Sequence, residues 1–307
     1  ETSPHQAGDD ARALNRKGET SMTSVGQRER ATQERVVNLF RYTLDYDYLG
    51  NWITRDDNRN IEPILLRAFL ERSGYDSAIT TRAIDILVKT AEDTSKSLYD
   101  RNKAVYELLR YGVKVKPDIS ENTVTVWPID WQRPGRNHFA IAEEAAIPAR
   151  DAKAHGKRPD IAIYVNGIAL GVIELKRSTV SVAEGIRQNL DNQKKTFIQD
   201  FFSTQQILMA GNDTEGLRYG TIETPEKYYL AWKEESSIQN PLDRHLVQIC
   251  SKARLLEIIH DFIIFDSGIK KICRHNQYSG VRAAQDFVLR REGGHIVIGA
   301  NLQALDL

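Results

Sequence analysis

One stretch of this chain combines residue types and spacing suited to catalysis. Arg158-Pro159-Asp160-Ile-Ala-Ile-Tyr-Val runs into Asn166-Gly167 and continues as Ile-Ala-Leu-Gly-Val172-Ile-Glu174-Leu-Lys176. Asn-Gly between two apolar runs is the strongest short-range signal for a β-hairpin. Side chains alternate along a strand, so Val172, Glu174 and Lys176 share one face and Ile173 and Leu175 the other. A carboxylate and an ammonium on an otherwise apolar strand are costly to bury unless they pair or bind something. Asp160 and Glu174 supply the oxygens that hold Mg2+, which takes one or two carboxylates and completes its octahedron with water. Lys176 beside them would orient or help deprotonate a metal-bound water, or offset charge on a scissile phosphate. Those roles together describe phosphodiester hydrolysis.

Strand parity sets a condition on that chemistry. In a strict two-residue hairpin Val165 opposes Ile168, so Asp160 opposes Ile173 and points away from Glu174. Both carboxylates reach one metal only if the parity shifts by one residue. A three-residue loop with a left-handed glycine would do this, as would a bulge at Gly171. The sequence therefore predicts an irregularity in this hairpin. The acid-x-Lys pattern alone is weak, since it recurs at Asp151-Ala-Lys153 in a polar stretch. The competing reading is a strand-end ion pair of Glu174 with Lys176 or Arg177.

The elements that must position these residues follow from periodicity. Helical spacing begins at Thr32 with Val36, Val37, Leu39, Phe40 and Leu44, and ends at the turn Tyr46 to Gly50. Further helices are expected over about 61–73, 77–91 and 97–111, with Gly74 and Gly112 as stops. Alternating and β-branched residues then predict strands at 113–115, 123–127, 138–143, 160–165 and 168–176. A helix at 182–199 follows, then strands near 206–211, 217–221 and 227–233, a long helix over 241–260 and a helix at 279–289. This order predicts an α/β (α+β) fold: a central mixed β-sheet flanked by helices, with an N-terminal helical region.

Composition narrows the function classes. The 307 residues carry 42 Lys plus Arg against 42 Asp plus Glu, so any nucleic-acid contact must come from a local patch. Arg150, Lys153, Lys157 and Arg158, with Lys176, Arg177 and Arg187, are the candidates for one. Two cysteines, Cys250 and Cys273, exclude a disulfide framework and suggest a reducing, cytoplasmic setting. No apolar run is long enough for a membrane span, and the first 28 residues read as a flexible polar tail without a secretory signal.

The signature segment resembles the nuclease motif of the restriction (motor) subunit of type I restriction-modification enzymes, a branch of the PD-(D/E)xK nuclease superfamily. The resemblance extends in family order through Gln33 to Phe40, Tyr46 to Gly50, Glu62 to Tyr75, Tyr219 to Thr221, Leu230 to Lys233 and Arg274 to Tyr278. It implies a restriction-endonuclease-like core over 29–265 that cleaves double-stranded DNA with Mg2+. By it, Asp160 and Glu174 are the metal ligands, Lys176 is the catalytic lysine, and Glu62 is a further acidic candidate near the metal. Lys157, Arg158, Arg177 and Gln188 become candidate DNA contacts. Relatives carry Gln-x-x-x-Tyr on the helix after the lysine; here Gln188 is followed at that spacing by Asn192, which removes the tyrosine.

The same resemblance makes 266–307 a linker and the truncated start of a helicase-like ATPase domain, with Gln277 as a remnant of its nucleotide-binding element. No G-x-x-x-x-G-K-[ST] phosphate loop follows, so ATP use is expected only of the full-length subunit. The implied partners are DNA and the modification and specificity subunits. Two alternatives stand beside this expectation: a non-catalytic docking fragment of that subunit, and a stand-alone nuclease of the same superfamily.

Overall fold

The structure, a computed structural model, describes residues 24–117, 122–149 and 156–291. The periodic apolar residues of the first half form four helices: α1 (Ser24–Tyr42), α2 (Pro63–Arg72), α3 (Ser77–Glu92) and α4 (Leu98–Tyr111). Their starts follow from local chemistry. Asp76 and Ser97 cap α3 and α4 by accepting from the Ile79 and Asp100 amides, and Pro63 opens α2. Between α1 and α2 lies β1 (Asp47–Asn51), and after α4 a short ribbon of β2 (Val113–Val115) and β3 (Val124–Val126).

The remaining elements are β4 (Phe139–Glu143), β5 (Ile161–Val165), β6 (Ile168–Leu175), α5 (Val182–Asn192), β7 (Ile207–Asn212) and β8 (Gly216–Gly220), then α6 (Pro241–Cys250) and α7 (Lys252–Asp261). A hairpin of β9 (Ile263–Asp266) and β10 (Ile269–Ile272) leads into α8 (His275–Arg291). Six strands make one sheet in the order β1-β4-β5-β6-β7-β8. The β1·β4 and β6·β7 pairs are parallel and the others antiparallel, so the mixed sheet flanked by helices is as the sequence predicts.

The sheet is buried on both faces. Ile161, Ile163, Val165, Ile173 and Leu175 join the helices α1 to α4, α6 and α7 in the larger core. Ala162, Tyr164 and Val172 face the opposite way, onto Ile198, Phe201 and Phe202. Among the described residues no helix is long and apolar enough to cross a membrane.

Several elements differ from expectation. Residues 47–51 form an edge strand rather than a turn; a register shift around Gly50, whose φ is 110°, hides the alternation. The helix expected to Gln199 ends at Asn192 and is followed by a 3-10 turn, Gln199–Ser203. Residues 227–233 supply only a single bridge, Leu230 to Tyr219. The helix expected over 241–260 breaks at Ser251, whose extended backbone (φ −58°, ψ 134°) separates α6 from α7. Helix α1 begins at Ser24, within the stretch expected as a tail, whose residues 1–23 lie outside the described chain. The boundary expected at 265/266 parts β9 from its partner β10, where the buried Lys270 ammonium donates to Asn102 Oδ1 (2.8 Å), Gln206 Oε1 (2.6 Å) and the Gln205 carbonyl (3.2 Å). The hairpin is therefore part of the same folded body.

The β5–β6 turn is gripped by α2. Gly167 has φ +80°, the Glu62 amide donates to its carbonyl (2.7 Å), and an added Cβ would sit 2.7–2.9 Å from Leu65 Cβ, the Glu62 carbonyl and the Leu66 nitrogen. Gly167→Ala is expected to lower the unfolding free energy by about 2 kcal/mol or more in urea denaturation. An unchanged midpoint would contradict this packing.

Candidate active site

The hairpin contains the irregularity that parity requires. Val165 pairs with Ile168 and Tyr164 with Ala169 across a two-residue Asn166-Gly167 turn, as in a regular hairpin. The ladder then shifts: Ile163 pairs with Gly171, Ala162 with Val172 and Ile161 with Ile173, leaving Leu170 extra in β6. The burial pattern reports the same event. Ile168 and Leu170 point into the larger core before the bulge, and the odd-numbered Ile173 and Leu175 do so after it. One more step places Asp160 opposite Glu174, on the face shared by Ala162 and Val172. Asp160 Oδ2 accepts from the Leu175 amide at 2.6 Å, which ties the start of β5 to the end of β6.

Glu174 is enclosed. It is fully buried, paired with Ala210 on β7 and covered by α5, whose Gly185 permits the approach: a Cβ there would lie 3.0 Å from Ala210 Cβ and 3.5 Å from Glu174 Cβ. Glu174 Oε1 accepts from Asn192 Nδ2 at 3.2 Å, while Oε2 has no hydrogen-bond partner. Burial pushes the carboxyl well above the usual glutamate range, and the charges of Asp160 and Glu144 push it the same way; Lys176 and Lys157 oppose them. A buried carboxylate with an orphaned oxygen beside a second carboxylate fits a divalent cation. Among the described residues no group of three or more His, Cys, Asp and Glu forms a ready-made metal cage. Mg2+ needs fewer protein ligands than that.

Lys176 follows on the same face. Its amide donates to the Gly211 carbonyl (2.9 Å), and its Nζ donates to Gln188 Oε1 (2.7 Å) on α5. That bond uses one of the three donors of the ammonium and aims the rest. Gln188 thus positions the lysine, and its helical neighbour Asn192, which stands where the tyrosine was missed, holds Glu174. Lys157 lies with its ammonium 4.1 Å from the centre of the Phe197 ring, Arg158 reaches Glu144 at 3.8 Å, and Arg177 lies just past Lys176 at the rim. Of the basic segment, residues 150–155 lie outside the described chain.

Glu62 is not brought to this site. It sits at the start of α2 against the Asn166-Gly167 turn, at the other end of β6 from Glu174. Its carboxylate is held by Arg55 through two hydrogen bonds (2.6 and 3.0 Å) and by the Arg59 amide. Glu62 is an ion-paired residue at a helix start and leaves the ligand set. Gln277 also lies apart, on α8, where its Oε1 accepts from the Arg274 amide at 2.8 Å.

Two neighbours were missed by sequence reasoning. Glu144 follows β4 in a left-handed conformation (φ 50°), and its amide donates to the Asp160 carbonyl at 3.0 Å. Its position just after an apolar strand adjacent to β5 was the available signal. Tyr229 comes from the loop after β8; its buried hydroxyl has no partner, and burial together with the Glu174 charge raises its pKa. No local pattern marks it.

With this geometry in place, comparisons with known proteins give a consistent result. Residues 26–227 match the family model described as type I restriction enzyme R protein N terminus. The chain is 29% identical over 224 residues to the type I restriction enzyme HindI endonuclease subunit of Haemophilus influenzae, covering 66% of this chain and 21% of that one. It is 25% identical over 214 residues to a Methanocaldococcus jannaschii protein provisionally named the type I restriction enzyme MjaIXP endonuclease subunit, covering 62% and 20%. A third relative, the type I restriction enzyme EcoprrI endonuclease subunit of Escherichia coli, is 26% identical over 123 residues, 38% of this chain and 39% of its own length. The matched segment spans about a fifth of the first two relatives.

The raised pKa of Glu174 has a direct consequence for stability. The folded chain binds this proton more tightly than the unfolded chain, so Glu174 contributes stability that is complete below the ordinary glutamate range. That contribution is lost as pH rises through the raised folded value. In metal-free buffer Glu174→Gln should therefore melt at a higher temperature than wild type at pH 8, with the gap narrowing toward pH 5. A wild type as stable as the variant at pH 8 would contradict the burial of an uncompensated carboxylate.

Proposed function

This chain belongs to the type I restriction enzyme R protein N-terminus family, and from that membership we propose that it is the nuclease part of such a subunit, cleaving double-stranded DNA with Mg2+. The observation that carries the reading is the Leu170 bulge, which sets Asp160 and the orphaned oxygen of Glu174 on one face with Lys176 next in line. Asp160 and Glu174 would hold the ion. Bound there, Mg2+ would lower the pKa of a water and stabilise charge on the phosphate. Lys176, aimed by Gln188, donates toward the same space and offsets negative charge on the scissile group. Asn192 fixes one oxygen of Glu174, leaving the other directed to the ligand.

Lys157, Arg158 and Arg177 lie before and after the carboxylates, where their charges suit flanking phosphates. The relatives' names describe endonuclease subunits of type I restriction enzymes. We extend this to partnership with modification and specificity subunits. ATP, and any role of Gln277 in reading it, belongs to the full-length subunit.

Calorimetric titration with Mn2+ tests the site. Asp160→Ala and Glu174→Ala should each weaken binding at least about tenfold, the loss usual even for second-shell partners. Lys176→Ala should bind metal as wild type does yet fail to nick plasmid DNA in the assembled enzyme. Unchanged metal affinity in the two carboxylate variants would refute the assignment and leave a docking module.

A further inference from the structure

A cavity opens on the far side of the sheet from the larger core. It has a volume of about 660 Å³, within the range of ligand-sized pockets. Two of its walls, Ile198 and Phe201, belong to the apolar layer that also contains Ala162 and Val172. The cavity therefore lies on the sheet face that carries Asp160 and Glu174.

Its lining is cationic and aromatic. Arg59, Lys96, Arg101 and Lys195 stand against Glu92 and Asp200. The Arg101 side chain is 1% exposed and spends its two terminal nitrogens on Asp200 and Gln199, but its Nε has no hydrogen-bond partner. Lys195 has no ion-pair partner among the described residues, and the Lys96 pair with Asp93, at 3.3 Å, is a solvated surface contact. Four cations line the cavity against two carboxylates, with Arg59 and Lys96 also paired at the surface with Asp57 and Asp93. Phe197 supplies a half-buried ring, steadied by the Lys157 ammonium.

The cavity wall is tied to the segment that leads into Asp160. Ile147 in its wall exchanges both backbone hydrogen bonds with Lys157 (2.9 and 3.2 Å). Asp160 stands three positions after Lys157, about 10 Å of extended chain, a span that neighbouring nucleotides of one strand can bridge.

We propose that this cavity holds an unpaired nucleotide of a DNA strand whose neighbouring phosphate lies at Asp160 and Glu174. This rests on the nuclease reading above and deepens it by naming a substrate class: DNA with a frayed, displaced or single-stranded segment beside the cut. A cationic groove with an aromatic ring is the arrangement that binds single strands, because a splayed base offers a free face for stacking. A base inside a duplex is already stacked and offers Phe197 nothing; reaching a pocket requires leaving the stack.

Fluorescence anisotropy in EDTA, using a short labelled oligothymidylate and a labelled duplex of the same length, provides the test. Phe197→Ala should weaken oligothymidylate binding about tenfold, as expected for one lost stacking contact. Phe197→Trp should retain it, which separates stacking from a folding defect. The surface double variant Lys96→Glu/Lys195→Glu should also weaken it and flatten its salt dependence. Duplex binding should change little in any of these. Equal losses on both DNAs, or no loss on the oligothymidylate, would overturn the proposal. Calorimetric Mn2+ titration of the wild type keeps the two readings apart, since the metal would be held by Asp160 and Glu174 and not by the cavity. Failure of Mn2+ binding with intact oligothymidylate binding therefore refutes the catalytic reading, whereas failure of oligothymidylate binding refutes the cavity.

Discussion

A β-strand alternates its side chains without exception, and a hairpin joined by a two-residue turn transmits that alternation from one strand to the next. Under that constraint Asp160 and Glu174 belong to opposite faces of the sheet. The single extra residue at Leu170 reverses the parity of β6 and places both carboxylates on one face. Leu170 stays in the larger core as Ile168 does, so the bulge costs no buried apolar side chain. Everything else at the site is arranged around this reversal: α5 can lie close over Glu174 because Gly185 lacks a Cβ, and from α5 come Gln188 for Lys176 and Asn192 for Glu174.

The resulting site is electrostatically tense. The half-buried Asp160 and Glu144 both oppose a charge on the fully buried Glu174, and the two lysines that offset them stand at the rim. A buried carboxylate with one unsatisfied oxygen costs stability, and the cation proposed above would offset that cost. The contrast with Glu62 is instructive. That carboxylate is equally close to a strand end but has both oxygens engaged by Arg55, leaving no capacity for a ligand.

Much of the fold was legible because its signals are local. Caps at Asp76 and Ser97, the stop at Gly112 and the alternating strands 139–143 and 161–165 are written in neighbouring residues. The central pair of carboxylates was legible for a different reason: parity made an irregularity a requirement of the chemistry, either a three-residue loop or a bulge at Gly171, and the extra residue falls next to that glycine, at Leu170. What was not legible depends on contacts distant in sequence. The β1 edge strand is short and interrupted at Gly50, so its pairing with β4 has no periodic trace. The break at Ser251 and the isolated bridge at Leu230 are set by how flanking segments pack. Glu144 and Tyr229 reach Glu174 from separate loops, and Glu62 looked promising only while its partner Arg55 was unknown.

The proposed nuclease activity depends on one ion joining the two carboxylates that the bulge brings together. The most direct measurement is anomalous diffraction from crystals of this protein soaked in Mn2+. The predicted result is a manganese peak within coordination distance of both Asp160 and Glu174, beside Lys176. A peak bound elsewhere, or bound to Asp160 with Glu174 still protonated and uncoordinated, would contradict it.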